Sequence, residues 1–273
     1  MPFDLGDTVR LEAECRDAAG SPATASTAVL TVTLPDGTTA TPTVPPPGQP
    51  GQYRVDYVPV QPGRHAVRWV FTSPADAYTD AFDVREQTPA MIVSLRDMKT
   101  HLRITSASTD DELRGWIESV TEDVEGFAGV CVRRAFTERI DVPANGATTL
   151  MLRKTPVLSL TSLVAIRSGG PTYDPSDFDV DTSGVVERLD GGRIYGPLRG
   201  VYVAGRAIIP PTLRDASKLI VQHLWRTKYG GTRATAGAGD DFLVTEPTGG
   251  FGYAIPNRAL QLLEPHRLPP GVA

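Results

Sequence analysis

Ser94–Gly129 reads SLRDMKTHLRITSASTDDELRGWIESVTEDVEGFAG. Ser94 followed by Asp97, and Thr109 followed by Glu112, have the spacing of a capping box, in which a hydroxyl bonds the N3 amide and the N3 side chain reaches back. Two helices in series are expected, over about 94–103 and 109–128. In the second, Leu113, Trp116, Ile117, Val120, Val124 and Phe127 recur at helical spacing and form one apolar stripe. Burying six such side chains at roughly 1.5–3 kcal/mol each contributes about 10 kcal/mol or more as an upper bound. Asp111, Glu118, Glu122, Asp123 and Glu125 occupy the other side. The helix is therefore expected to pack along one face and to meet water or a polar partner along the other.

Working outward, the 273 residues are most simply two domains of ordinary size. No run of about 18 apolar residues suggests a membrane span. The start, MPFDLGDTVRLEAE, lacks the basic and apolar regions of a signal peptide, so synthesis in a cytoplasm is expected. Cys15 and Cys131 fall in different expected domains and belong to no CxxC pattern, and the four histidines are scattered. Neither a disulfide nor a metal site is expected. Residues 1–88 hold 6 Lys/Arg against 11 Asp/Glu, a net of −5; the remainder holds 21 of each. An acidic front module beside a neutral body argues against wholesale nucleic-acid binding.

Residues 1–88 read as all-β. Thr8–Glu14, Ala28–Thr33, Gln52–Val58, Arg64–Phe71 and Tyr78–Val84 alternate apolar and polar residues, with turn dipeptides between them, which suggests a β-sandwich. The run GQYRVDYVP (51–59), then Pro62-Gly63 and Val67-Arg68-Trp69, resembles filamin-type and bacterial immunoglobulin-like domains, which bind or space rather than catalyse. The plainer reading makes Tyr53, Tyr57 and Trp69 core aromatics. A linker at 86–90 precedes Met91, so the body has a start-like beginning of its own.

After the two helices, short strands are expected at Ala135–Val142, Thr149–Arg153, Val157–Ile166, Phe178–Val180, Val185–Leu189 and Gly200–Ala204. Pro210-Pro211-Thr212 opens a third helix to about 229, stopped by Gly230-Gly231. The glycine-rich stretch 232–252 reads as a mobile arm, and PNRALQLLE (256–264) as a short terminal helix. The fold class is thus α+β in two domains. An immunoglobulin-like sandwich (1–88) precedes a domain of packed helices with an inserted small antiparallel β region at 135–205 (89–231); an arm with a terminal helix (232–273) follows.

Three segments of the body resemble the head-to-tail connector (adaptor) family of tailed bacteriophages. The first is LRDMKTHLRI (95–104) with TDDEL (109–113). The second is IESVTEDVEGF (117–127), like a family helix that ends in E-x-F/Y before a small loop and an Arg. The third is VYVAG (201–205) with Pro210 and Leu213 to Trp225. Val203 stands where Thr is more usual, and the extra sandwich in front leaves the N-terminal role open.

The resemblance implies a structural virion protein of the neck, made in the host cytoplasm. Copies assemble as a homo-oligomeric ring, usually a dodecamer, beneath the portal protein. The ring extends the channel for passing DNA, which it contacts non-specifically, and offers the platform for a tail-completion or head-closure protein. Asp111, Glu118, Glu122 and Glu125 are then candidates for the subunit interface, against a plainer reading as a solvated face. Ile255, Leu260, Leu262 and Leu263 are candidate portal anchors, and removal of residues 232–273 is expected to spare folding. Arg133 and Arg134, or Arg226, Lys228 and Arg233, are candidates for lining the channel.

No G-x-S-x-G, Walker, HExxH or EF-hand pattern is present, and the pairs Asp110-Asp111 and Asp240-Asp241 diverge. No catalytic residue, cofactor or metal is expected, and the protein is read as not an enzyme. The competing reading is a non-enzymatic binding protein whose immunoglobulin-like domain recognises a carbohydrate or a protein.

Overall fold

The computed structural model describes residues 2–229 and 255–268. The chain divides into two compact units, Met1–Pro89 and Ala90–Ala273. The whole is α+β, with antiparallel sheets and four α-helices among the described residues.

In the first unit the strands are β1 (Val9–Glu14), β2 (Thr27–Thr33), β3 (Thr39–Ala40), β4 (Gln52–Tyr57), β5 (Gly63–Thr72) and β6 (Asp76–Val84). They form a four-stranded antiparallel sheet, β3-β2-β5-β6, and a two-stranded sheet, β1-β4. Period-two patterning sets the inner faces. His65, Val67, Trp69 and Phe71 of β5 are buried and alternate with exposed residues. They pack with Leu30 and Val32 of β2 and with Val9, Leu11, Tyr53 and Val55 of the smaller sheet. The Tyr53 hydroxyl accepts from the Ala25 amide at 2.9 Å, which ties β4 to the chain before β2. Tyr53 and Trp69 are core residues, as the plainer reading has it, while Tyr57 is half-buried.

The second unit begins with α1 (Leu95–Leu102) and α2 (Asp110–Ala128). Ser94 caps α1, its Oγ accepting from the Asp97 amide at 3.1 Å. The second expected box does not form: Thr109 makes no capping bond, and Glu112 is engaged elsewhere. In the stripe of α2, Leu113, Ile117, Val120 and Val124 are buried and Trp116 and Phe127 half-buried.

β7 (Arg134–Ile140), β8 (Thr149–Met151), β9 (Val157–Ala165), β10 (Thr172–Tyr173), β11 (Phe178–Val180), β12 (Val185–Arg188) and β13 (Leu198–Ala204) follow. They make two antiparallel sheets, β10-β9-β13-β7 and β11-β12-β8. β7 and β8 flank one turn yet pair with β13 and β12 rather than with each other. The short β3 and β10 carry too few residues for alternation to betray them. The sheets share a core of Leu152, Leu163, Ile194, Leu198 and Tyr202. The Tyr202 hydroxyl donates to Glu138 and accepts from the Lys154 amide, both at 3.0 Å. Burial pushes this phenol up to about 12.

α3 (Pro211–Tyr229) and α4 (Asn257–Leu263) return the chain to the helices. Leu213, Ala216, Ile220 and Val221 of α3 join the α2 stripe, and Ala259 and Leu263 of α4 complete the same core. The tail is also held by backbone: the Leu268 amide donates to the Phe127 carbonyl at 3.0 Å. Residues 256–268 are therefore part of the helical body, and their removal uncovers its core. This corrects the expectation that the whole 232–273 stretch is dispensable for folding. The expected arm, 232–252, lies outside the described residues.

Candidate functional site

The helical body presents two polar junctions and one charged face, all built on α2. Its first turn is acidic (Asp110, Asp111, Glu112), which suits the positive end of the helix dipole. Lys99 of α1 pairs with Asp110 at 2.5 Å. Glu112 reaches across to the end of α3, where its carboxylate accepts from Lys228 Nζ and from the Tyr229 hydroxyl. These bonds lower the Glu112 pKa and raise that of Lys228. Trp116, Trp225 and Tyr229 stack around the pair, with Trp116 and Trp225 edge to face at 6.2 Å and Trp225 and Tyr229 at 4.4 Å.

At the other end of α2, Glu125 faces the loop that leaves the helix. Its Oε1 accepts from the amides of Cys131 and Val132, each at 2.9 Å. Arg134 completes the clip with bonds of 2.9 and 2.6 Å to the two carboxylate oxygens and lies 5.0 Å over the Phe136 ring. Burial pushes the Glu125 carboxyl up, but Arg134 and the two amides outweigh it and the net shift is down. Close backbone approach surrounds this clip. A Cβ on Gly205, whose φ is +129°, would lie 2.6 Å from Arg133 Cα. Gly205 is thus required where β13 passes the chain entering β7.

The expected site residues divide accordingly. Asp111 and Glu122 are exposed on the outer face of α2, and Glu118 is half-buried there. Glu125 spends its carboxylate inside the chain. Arg133 is exposed, whereas Arg134 is tied to Glu125. Arg226 is exposed, Lys228 is tied to Glu112, and Arg233 lies outside the described residues. Ile255 and Leu260 are exposed, Leu262 packs partly against the helical core, and Leu263 is only 3% exposed within it. The Glu112–Lys228–Tyr229 junction was not legible from spacing, because Glu112 lies 116 and 117 residues from its two partners. Glu125 and its downstream arginine do have a sequence signal, the E-x-F helix end followed by a loop and Arg.

Among the described residues no cluster of three or more His, Cys, Asp or Glu side chains converges as metal ligands, and no helix is long and apolar enough to cross a membrane. The fold is α+β, and its second unit carries a charged helical face and two exposed apolar side chains, Ile255 and Leu260. The chain belongs to the head completion protein family, whose model matches residues 91–268. That range holds all three segments of the connector resemblance.

No curated protein matches. Among solved structures, the chain is similar to one described as the neck of an empty GTA particle computed with C6 symmetry. The TM-score is 0.49 at 16% identity, covering 68% of this chain and 97% of that one. The neck of a native GTA particle computed with C12 symmetry matches at TM-score 0.43 and 17% identity, covering 67% and 98%. The Lin-41 filamin domain matches at TM-score 0.28 and 20% identity, covering 32% and 84%.

Proposed function

We propose that this protein is a structural, non-enzymatic connector of a tailed phage or phage-like particle, located at the neck. In this reading copies close into a ring beneath the portal, of twelve in keeping with the connector resemblance, extend the DNA channel and provide the platform for tail attachment. The observation that carries the reading is the head completion family match across the helical body and its inserted sheets. A closed ring needs a head-to-tail interface between unlike surfaces. The outer face of α2, with Asp111, Glu118 and Glu122, is the candidate for one side of it. Ile255 and Leu260, the anchors left outside the core, are the candidates for portal contact. Arg133 and Arg226, both exposed, are the candidates for lining a channel, where a diffuse positive field suffices for sliding DNA. The first unit is read as an immunoglobulin-like sandwich that binds or spaces rather than catalyses.

The test is to express the chain with the portal protein and image the complexes by electron microscopy. A ring of this protein on one end of the portal is the expected result, reduced to free subunits by Glu122→Lys with unchanged melting temperature. Failure of the wild-type chain to join portals, or its absence from purified particles, would sink the reading.

A further inference from the structure

The strand edges of the first unit are not protected alike. The chain around Pro45 and Pro46 flanks a hollow beside β4, and proline is one way in which proteins blunt an edge. On β6, the amides of Ala77 and Ala81 donate to the carboxylates of their own neighbours, Asp76 and Asp80, each at 2.8 Å. Phe3 covers the far end of β6, its amide donating to the Asp83 carbonyl at 2.8 Å. β1 has no such device along Arg10–Glu14; only past its end does the Arg16 amide donate to the Asp76 carboxylate of β6, at 2.9 Å. It pairs only with β4, in a register that places Val9 opposite Tyr57 and Leu11 opposite Val55. The Cys15 amide donates to the Gly51 carbonyl at 2.8 Å, continuing that register. Hydrogen-bonded pairs alternate in an antiparallel ladder, so Val9, Leu11 and Ala13 bond to β4. The amides and carbonyls of Arg10, Glu12 and Glu14 point to the open side.

That open side is a groove of about 310 Å³ between β1 and β6. Two strands face four in this sandwich, and the inner face of β6 is covered at Phe82 and Val84 but not at its Tyr78 end. Tyr78, in phase with buried Phe82 and Val84, is therefore 42% exposed. Trp69, fully buried in the core, forms part of the floor of this groove. The charge is one-sided. Arg10 pairs with Asp56, Arg16 with Glu14 and Arg64 with Asp83, and among the described residues Glu12 and Asp80 have no ion pair.

We propose that the free edge of β1 is a docking site for an extended, basic segment of a partner protein, which adds as a third strand to the β1-β4 sheet. Main-chain bonds to Arg10, Glu12 and Glu14 hold the segment. Small apolar side chains at alternate positions cover the exposed Tyr78, and a lysine or arginine on the opposite face of the segment meets Glu12. This assignment concerns the first unit alone and stands whether or not the second forms a ring.

The test uses the full-length chain and an octapeptide of alternating lysine and valine, with a glutamate–valine octapeptide as control. Amide hydrogen exchange is followed by NMR. With the basic peptide in excess, exchange at Arg10, Glu12 and Glu14 is expected to slow about tenfold or more, while Leu11 and Ala13, already in the ladder, stay unchanged. Glu12→Pro removes one edge donor and is expected to abolish the effect. Glu12→Lys, which keeps the backbone intact, is expected to weaken it about tenfold at low salt. The proposal is overturned if neither peptide slows these amides or if both do so equally. Slowing without peptide that rises with protein concentration overturns it too, because the edge then serves a second copy of this chain.

Discussion

Glu125, near the end of α2, and Arg134, at the start of β7, face each other as a bidentate pair, with bonds of 2.9 and 2.6 Å. The pair closes a nine-residue excursion and joins the helical layer to the sheets. Because the same carboxylate also accepts two loop amides, it fixes the path of the backbone as well as the charge balance.

Glu125→Ala is expected to cost about 2 kcal/mol, measured by denaturant unfolding, since two buried amides lose their acceptor and Arg134 retains partial access to solvent. Arg134→Ala is expected to cost less than Glu125→Ala. Equal losses would mean that the amides contribute nothing.

The same pair gives an acid signature. The folded-state pKa of Glu125 lies below its ordinary value of 4.5. Its stabilisation is thus fully present above pH of about 4.5 and is lost as pH falls through the lowered folded value. Melting temperatures measured from pH 6 downward should fall less steeply in Glu125→Gln than in wild type. Parallel curves would contradict the assignment.

Gly205→Ala is expected to destabilise by about 2–4 kcal/mol, because φ of +129° and a Cβ 2.6 Å from backbone combine strain with a clash no side-chain rotation relieves. Arg103 offers the opposite case. It caps α1 at φ +58°, so Arg103→Gly should stabilise by about 1 kcal/mol in the same assay.

Leu263→Ala should cost about 2–5 kcal/mol, as expected for a leucine emptied from a closed core. Leu260→Ala, at an exposed position of the same helix, should leave stability within about 0.5 kcal/mol. If Leu260 contacts the portal, co-purification with portal falls in that variant while its unfolding curve stays put.

Much of this architecture could be read along the chain. The α2 stripe, the alternation in β5 and the proline entry of α3 report local periods, and a local period survives whatever the rest of the molecule does. The Ser94 cap was legible for the same reason, since donor and acceptor lie three residues apart. The E-x-F helix end likewise pointed to Glu125, though its tie to Arg134 made it a clip rather than a free surface acid.

What the linear order determined by itself was which segments are helix or strand and which face of each is apolar. Tertiary structure alone decided the partners. Glu112 left its capping role for Lys228 and Tyr229, Leu263 went inward while Leu260 stayed out, and β1 kept one edge bare. Each outcome depends on which distant group arrives to satisfy a charge, fill a volume or take up an amide. Periodicity holds no record of contacts between residues a hundred positions apart.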